Sequence, residues 1–255
     1  MAIRNTENLT NLLTDLADYR MMLLSQVFRL HFTKERAARR RMRQLVDEGL
    51  VELLPGPPAQ KAGRPESVYG LSKEGMQFLK IQGALESDLT FEQVGGGNLS
   101  HQAAHQLLLG WFRVHLAHTC KSLPDLECRL LTFNSPLALD TDTTAPIIRD
   151  EVVLEDDASP VRFIPDAAFI LIDTARRKPV LFFFEADMGT EPLSSEGRGD
   201  IRDKVNRYKQ YFRSLGYKRY ETLWGGSLNG FRVLFFADSS ADTTRRATPA
   251  RARSF

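Results

Sequence analysis

The chain contains little cysteine. Only Cys120 and Cys128 occur among its 255 residues, and their spacing fits no common metal-binding pattern. So few cysteines, in no metal-binding arrangement, make a reducing compartment the default expectation. The composition therefore predicts a cytoplasmic protein.

The chain also lacks long apolar segments. No uncharged apolar run approaches the length of about 18 residues that a membrane-spanning helix needs. Residues 1–7 lack the apolar core of a signal peptide. These two absences predict a soluble intracellular protein without a membrane partner.

Charge is nearly balanced in total but unevenly distributed. The net charge is +2, yet residues 1–85 contain 13 Lys or Arg against 9 Asp or Glu. Residues 122–200 contain 7 Lys or Arg against 16 Asp or Glu, and the last fifteen residues carry four arginines and one aspartate. A basic front end and an acidic middle indicate two domains with different tasks.

The breaks between these regions give the predicted domain organisation. Residues 6–85 form the first domain, and residues 86–98 a linker, because the glycines at 95–97 resist regular structure. Residues 99–238 form the second domain. The arginine-rich segment 239–255 has no apolar periodicity, so we expect a disordered tail that adds non-specific DNA affinity.

The front domain has the element order of a winged helix-turn-helix. Apolar spacing predicts three helices, and two short apolar runs around a Pro- and Gly-rich loop predict a hairpin that leads into a last helix. The predicted elements are helices at 8–20, after Ser25 and at 34–48 behind a Thr33 cap, strands at 50–54 and 67–71, and a helix capped by Ser72.

The third helix concentrates long cationic side chains at the position that this fold uses to read DNA. We expect double-stranded DNA to be the partner, with these cations reaching bases or phosphates in the major groove and the wing tip reaching the minor groove. An ordinary solvated helix face, or a winged helix used only for dimerisation or protein contacts, remains an alternative. The predicted DNA-binding residues are Lys34, Arg36, Arg39, Arg40 and Arg43 on the helix and Lys61 and Arg64 on the wing.

Two acidic clusters accompany apolar strands in the back domain. Asp166 lies on the run 161–172, whereas Glu185 and Asp187 end the run 180–187. Side chains two apart on a strand share a face, and a hairpin brings Asp166 beside the other two. Three neighbouring carboxylates repel each other unless a cation neutralises them. Because hard oxygen ligands suit Mg²⁺ or Mn²⁺, we expect these three residues to be metal ligands.

The elements of the back domain follow the order αβββαβ, which predicts an α+β fold with a small mixed sheet flanked by helices. The strand at 180–184 is apolar on both faces and should be central and covered twice. The predicted elements are a helix capped by Ser100, strands at 127–133, 161–172 and 180–187, a helix at about 200–212 and a strand at 231–236.

Three further residues are candidate metal ligands. His101 and His105 stand four apart on the first turns of a helix, but no Glu-x-x-His context accompanies them. First-turn histidines usually pack or face solvent, which disfavours a zinc site. Glu151 is a further candidate ligand for the acidic cluster. The alternative for the three acids themselves is structural. Asp166 would then cap a turn or form a salt bridge with Arg176 or Lys204, and the strand end at Glu185 and Asp187 would cap the turn at 189–190.

The acidic strands resemble the restriction-endonuclease-like PD-(D/E)xK superfamily. Asp166 and Glu185 match the two metal-binding acids of that superfamily, and Asp187 stands where its lysine usually stands. Lys204, on the following helix with Tyr208 on the same general face, is the natural replacement. The resemblance implies that Lys204 orients the attacking water or stabilises the phosphorane charge.

More narrowly, the chain resembles the plasmid replication-relaxation family of bacterial proteins. The resemblance implies DNA binding linked to plasmid replication or mobilisation, with replication or mobilisation proteins as further partners and homodimerisation left open. The matching stretches are 40–51, 99–102, 165–167 and 185–191, together with Lys204 and Tyr208.

These observations support one main hypothesis and three alternatives. The main hypothesis is a DNA-binding protein whose nuclease-like domain binds Mg²⁺. The alternatives are an active metal-dependent DNA endonuclease that uses Asp166, Glu185, Asp187 and Lys204, a non-catalytic regulator of transcription or copy number, and an adaptor that recruits replication proteins.

Overall fold

The fold is mixed α+β. The computed structural model describes residues 2–56, 65–95, 103–131, 148, 150–154, 157–187, 201–223 and 226–237. Several predictions fall outside these residues and stay predictions: the roles of Lys61, Arg64 and His101, the tail 239–255 and the side chain of Asp187.

In the part of the front module that the structure describes, five helices accompany a small antiparallel sheet with the strand order β1-β3-β2. Leu53 of β2 lies opposite Tyr69 of β3, as the predicted hairpin requires. Its elements are α1 Ala2–Tyr19, β1 Met22–Leu23, α2 Leu24–His31, α3 Glu35–Asp47, β2 Val51–Leu54, β3 Val68–Leu71, α4 Lys73–Ile81 and α5 Phe91–Val94.

The helix boundaries follow from specific caps. The Ser72 hydroxyl accepts a hydrogen bond from the Gly75 amide at 2.9 Å, which confirms the predicted cap of α4. Gly49 ends α3 with a φ of +74°, a conformation that costs glycine little. The predicted Thr33 cap was wrong, because Lys34 occupies the N-cap of α3 without a side-chain bond.

Within the described ranges, the back module is built on a four-stranded sheet with the order β4-β7-β8-β9, in which β8 and β9 are parallel and the other pairs antiparallel. A separate two-stranded sheet contains β5 and β6. The elements are α6 Ala103–Lys121, β4 Leu126–Leu131, β5 Asp150–Leu154, β6 Asp157–Phe163, β7 Ala167–Asp173, β8 Lys178–Asp187, α7 Ile201–Arg213, a 3-10 helix Gly216–Leu223 and β9 Phe231–Ala237.

Strand β8 is interior and covered on both faces, as its sequence predicts. Phe184 stacks on Phe112 of α6 with ring centroids 4.0 Å apart. On the opposite face, Phe183 contacts Tyr208 and Tyr211 of α7. A strand without a polar face therefore lies between two helices, and the ends of the sheet are the places where polar side chains can gather.

The prediction of one strand over 161–172 was wrong. The chain leaves the β5–β6 sheet after Phe163 and enters the main sheet only at Ala167, so Asp166 lies in the break and not on a strand. Pro165 lacks the amide hydrogen that a continuous ladder needs, which accounts for the break. The β5–β6 hairpin itself was not predicted. It is anchored by Phe163, which stacks on Tyr211 at 4.0 Å.

Helix α6 contacts both modules. The fully buried Gln26 of α2 donates a hydrogen bond to the Leu107 carbonyl at 2.8 Å. Arg113 lies over the Tyr19 ring at 3.8 Å, whereas Leu109 and Phe112 pack against the main sheet. Part of the predicted linker is ordered, because α5 buries Val94 in the front core. Among the described residues, no helix is both long and apolar enough to cross a membrane.

Candidate functional site

Helix α3 separates apolar from cationic side chains. Ala38, Met42 and Leu45 are fully buried in the front core, which fixes the orientation of the helix. Its outer surface carries the predicted DNA-binding cations in an exposed cluster that we call the cationic face. The cationic face consists of Lys34, Arg36, Arg39, Arg40 and Arg43.

The cations of this face have little to neutralise them within the protein. Arg39 forms an exposed i,i+4 ion pair with Glu35 at 2.7 Å. Within the described part of the chain, Lys34, Arg36, Arg40 and Arg43 form no ion pair. Exposed surface pairs contribute about 0–1 kcal/mol, so Arg39 can exchange Glu35 for a phosphate at small cost. The face is suited to a polyanion.

The second candidate region lies at one end of the main sheet. The antiparallel register places Ala167 opposite Phe184, so Asp166 and Glu185 stand side by side as the sequence predicts. The Ala186 amide donates to Asp166 Oδ2 at 2.8 Å, which holds the two acidic residues together. We call Asp166 and Glu185 the acid pair.

Glu185 is buried and receives two side-chain donors from α7. It is 6% exposed. The Tyr208 hydroxyl donates to Oε1 at 2.6 Å, and Lys204 Nζ donates to Oε2 at 3.2 Å. Lys204 and Tyr208 stand four apart, so one face of α7 supplies both groups. The structure thus brings Lys204 to the acid pair, where the sequence analysis placed it.

A histidine completes the cluster. His105 Nε2 lies 3.1 Å from Asp166 Oδ2, and both side chains are 23% exposed. From sequence, His105 is a candidate only as a zinc ligand with His101, so its contact with Asp166 was not predicted. Its position in the first turns of α6 was the available signal, since α6 begins near the same end of the sheet.

Burial sets the protonation behaviour of this cluster. Desolvation, followed by the charge of Asp166, raises the pKa of Glu185 above its ordinary range, against the opposing effects of Lys204 and Tyr208. Burial disfavours the charged form of His105, but the hydrogen bond and the charge of Asp166 outweigh it and raise its pKa. Burial, followed by the Glu185 charge, raises the pKa of Tyr208. The cluster therefore favours the protonated forms of Glu185, His105 and Tyr208.

The described side chains supply only part of the predicted metal ligands. No group of three or more His, Cys, Asp or Glu side chains is arranged to hold a metal ion within the described ranges. Glu151 is exposed on β5, outside the sheet that carries the acid pair. Asp187 ends β8 next to β9, but its side chain lies outside the described residues. Among the described side chains, Asp166 and Glu185 are therefore the two predicted metal ligands that lie together.

The alternative salt bridges proposed for Asp166 are resolved by the geometry. Arg176 pairs with Asp173 at 3.6 Å, at the opposite end of β7. Lys204 bonds Glu185 directly, and Asp166 is engaged by His105. Hydrogen bonds thus connect the acid pair to α6, α7 and β8.

Comparison with known proteins adds one finding to this geometry. The family model for replication-relaxation matches residues 13–224, which include the cationic face and the acid pair. The chain belongs to the replication-relaxation family. Membership supports a role in plasmid replication or relaxation. No curated protein and no solved structure gives a significant match. The family match ends before β9, which begins at Phe231.

Proposed function

We propose that this replication-relaxation protein binds duplex DNA during plasmid replication or mobilisation. In this proposal the front module is a winged helix-turn-helix, with α3 in the major groove and the β2–β3 loop as the wing. Its partners are double-stranded DNA and replication or mobilisation proteins of the plasmid. The observation that carries the proposal is the cationic face, whose side chains are exposed while the rest of α3 is fixed in the core.

The test is duplex binding by a variant that lacks two cations of this face. We expect Arg36→Ser/Arg40→Ser to weaken binding of a labelled random-sequence duplex at least about tenfold, because two phosphate contacts are lost. The slope of log K against log salt should flatten by about 1.8, at about 0.9 per phosphate. Fluorescence anisotropy across a salt series measures both quantities.

A matched control removes two exposed cations elsewhere. Lys121 ends α6 and Lys178 begins β8, and both side chains are exposed. Lys121→Ser/Lys178→Ser changes the net charge by the same amount. Because neither lysine belongs to the cationic face, this double variant should leave the salt slope unchanged. Equal losses in the two double variants would reject the cationic face as the duplex-binding surface.

A second candidate function is metal-dependent DNA cleavage, favoured by the buried acid pair with Lys204 beside it. Mg²⁺ commonly uses one or two protein carboxylates and completes its shell with water. Asp166 Oδ1 and both oxygens of Glu185 can accept more than the hydrogen bonds they now receive, so the donor set fits such an ion. Asp166 and Glu185 would hold Mg²⁺ or Mn²⁺, with Asp187 as a third proposed ligand.

When bound, the ion would acidify a water molecule and offset charge on the scissile phosphate. The protein's own groups would do the rest. Lys204 would place a positive charge next to the phosphate, and His105 with the Ala186 amide would hold Asp166 in position. In this proposal the nuclease-like back module acts on the DNA that α3 binds.

Cleavage is tested with supercoiled plasmid and, as a control, a carboxylate at the far end of β7. Wild type, Asp166→Asn and Asp173→Asn are incubated with Mg²⁺, Mn²⁺ or EDTA and separated on a gel. We expect metal-dependent nicking by wild type and Asp173→Asn, and none by Asp166→Asn. Retardation of plasmid without nicking in any metal would exclude the nuclease and leave a regulator or adaptor that uses the back module as a scaffold.

A further inference from the structure

A groove between α7 and β9 combines an aromatic floor with a cationic rim. Its floor contains Tyr208, Phe212, Phe231 and Phe235, and its rim contains Lys209 and Arg213. The groove encloses about 370 Å³, within the range of roughly 300–1,000 Å³ found for small-ligand pockets. We call it the α7–β9 groove.

The aromatic floor exposes part of a supported ring. Phe212 stacks on Tyr217 with centroids 5.6 Å apart and an interplanar angle of 13°, which supports the ring from one side. Phe231 meets the same ring edge-to-face, with centroids 6.0 Å apart. The Phe212 side chain is nevertheless 47% exposed and lines the groove. A supported ring with this exposed surface is a platform on which a planar group can stack.

The rim places positive charge along the platform. Arg202, Lys209 and Arg213 are exposed and stand at helical spacing on one stripe of α7. The stripe extends about 16 Å at 1.5 Å per residue. In the described part of the chain, Lys209 takes part in no ion pair. A ligand with a flat apolar part and regularly spaced negative charges matches both features.

We propose that the α7–β9 groove binds single-stranded nucleic acid, with bases stacked on Phe212 and phosphates on Lys209 and Arg213. Unpaired bases offer the open faces that such platforms use, whereas bases in a duplex are already stacked on each other. The positive charge of the rim favours a polyanion over the two other possible occupants of the groove, a second copy of the chain and segment 239–255. A second copy related by a twofold axis would bring its own cationic rim to the groove, and segment 239–255 carries four arginines of the same sign.

The groove is continuous with the acid pair. Tyr208 lines the groove and also donates its hydroxyl to Glu185. Val205 lines the groove next to Lys204, which bonds Glu185. A strand in the groove would therefore run toward the end of the sheet where the carboxylates lie. The inference depends on the groove alone and not on duplex binding by α3.

The test measures binding of labelled oligo(dT) to the full chain in an Arg36→Ser/Arg40→Ser background, which removes the contribution of the cationic face. We expect Phe212→Ala to raise the Kd about tenfold, because base–aromatic stacking is lost. Phe212→Trp keeps a platform and should retain binding. Lys209→Ser should flatten the salt slope by about 0.7, the value for one phosphate of a single strand.

Phe236→Ala is the matched control. Phe236 is 44% exposed and lies on β9, the strand that also carries Phe231 and Phe235 of the groove. Its ring stacks on Phe184, which contacts α6, so it lies on the opposite face of the sheet from the groove. An equal loss of oligo(dT) binding in Phe212→Ala and Phe236→Ala, with both proteins folded by circular dichroism, would overturn the proposal. So would unchanged binding in Phe212→Ala together with loss of a wild-type dimer in sedimentation, because the groove would then hold a second copy.

The outcomes are separable from those of the proposed function. Phe212→Ala in the otherwise wild-type chain should leave duplex affinity unchanged. Loss of oligo(dT) binding in this variant, combined with full duplex binding by Arg36→Ser/Arg40→Ser, would reject duplex binding by α3 and keep the groove. The reverse pattern would reject the groove alone.

Discussion

The cationic face and the acid pair accommodate charge in opposite ways. The side chains of Arg36, Arg40 and Arg43 are exposed, and water solvates them without help from the fold. Glu185 is buried, and both its oxygens accept hydrogen bonds from side chains of α7. Because a buried carboxylate without partners is costly, Tyr208 and Lys204 are required by the fold itself.

The contrast separates binding from stability. The cationic face contributes little to folding, so its cations can be removed to isolate their part in binding. The acid pair is part of the packing between β8, α6 and α7, so changes there alter function and stability together. Experiments on the two regions therefore need different controls.

The largest expected effect follows from removing Lys204 without changing its size. Lys204→Met leaves Glu185 buried with one hydrogen-bond donor fewer, and we expect a loss of about 2 kcal/mol in the free energy of unfolding near neutral pH. Arg40→Met on the cationic face should change that free energy by less than about 0.5 kcal/mol. Urea unfolding followed by circular dichroism measures both variants.

A second change shows whether the effect of Lys204→Met comes from charge. The raised pKa of Glu185 means that the folded state holds its proton more tightly than the unfolded state, so stability falls as pH rises from the ordinary glutamate value through the folded one. Glu185→Gln removes that titration. Added to Lys204→Met, it should restore most of the free energy of unfolding that Lys204→Met loses. A double variant no more stable than Lys204→Met alone would assign the loss to packing.

Much of the fold could be predicted because its elements carry local signals. Apolar spacing located α3 and α4, and two apolar runs around a polar turn located the β7–β8 hairpin. The strand that is apolar on both faces predicted the interior position of β8. The β5–β6 hairpin was missed because charged residues surround its few buried side chains, Val152 and Phe163. Strand β1 has only two residues, Met22–Leu23, too few for a periodic pattern.

The candidate site was predictable where spacing along one element was sufficient. Strand pairing brought Asp166 to Glu185, and helical spacing aligned Lys204 with Tyr208. His105 precedes Asp166 by 61 residues, and only the packing of α6 on the sheet reveals their contact. The α7–β9 groove was missed for the same reason, since its two sides come from a helix and a strand separated by the 3-10 helix.

The smallest expected effect concerns His105 and is read from pH dependence. Its pKa is raised above the ordinary 6.5, so the stabilisation that the charged ring provides is complete below that value and is lost as pH rises through the folded-state pKa. We expect the free energy of unfolding of wild type to exceed that of His105→Gln by about 1 kcal/mol near pH 5.5, with the difference shrinking toward pH 9. Thermal or urea unfolding across this range provides the comparison.

The origin of this effect is tested by removing the charge of Asp166. In an Asp166→Asn background, the imidazolium has lost the carboxylate that favours it most, so burial and the charge of Lys204, which disfavour the charged ring, are opposed only by the charge of Glu185. The advantage of His105 over Gln at low pH should then disappear or reverse. If the difference keeps its pH dependence in that background, a group other than Asp166 stabilises the charged histidine.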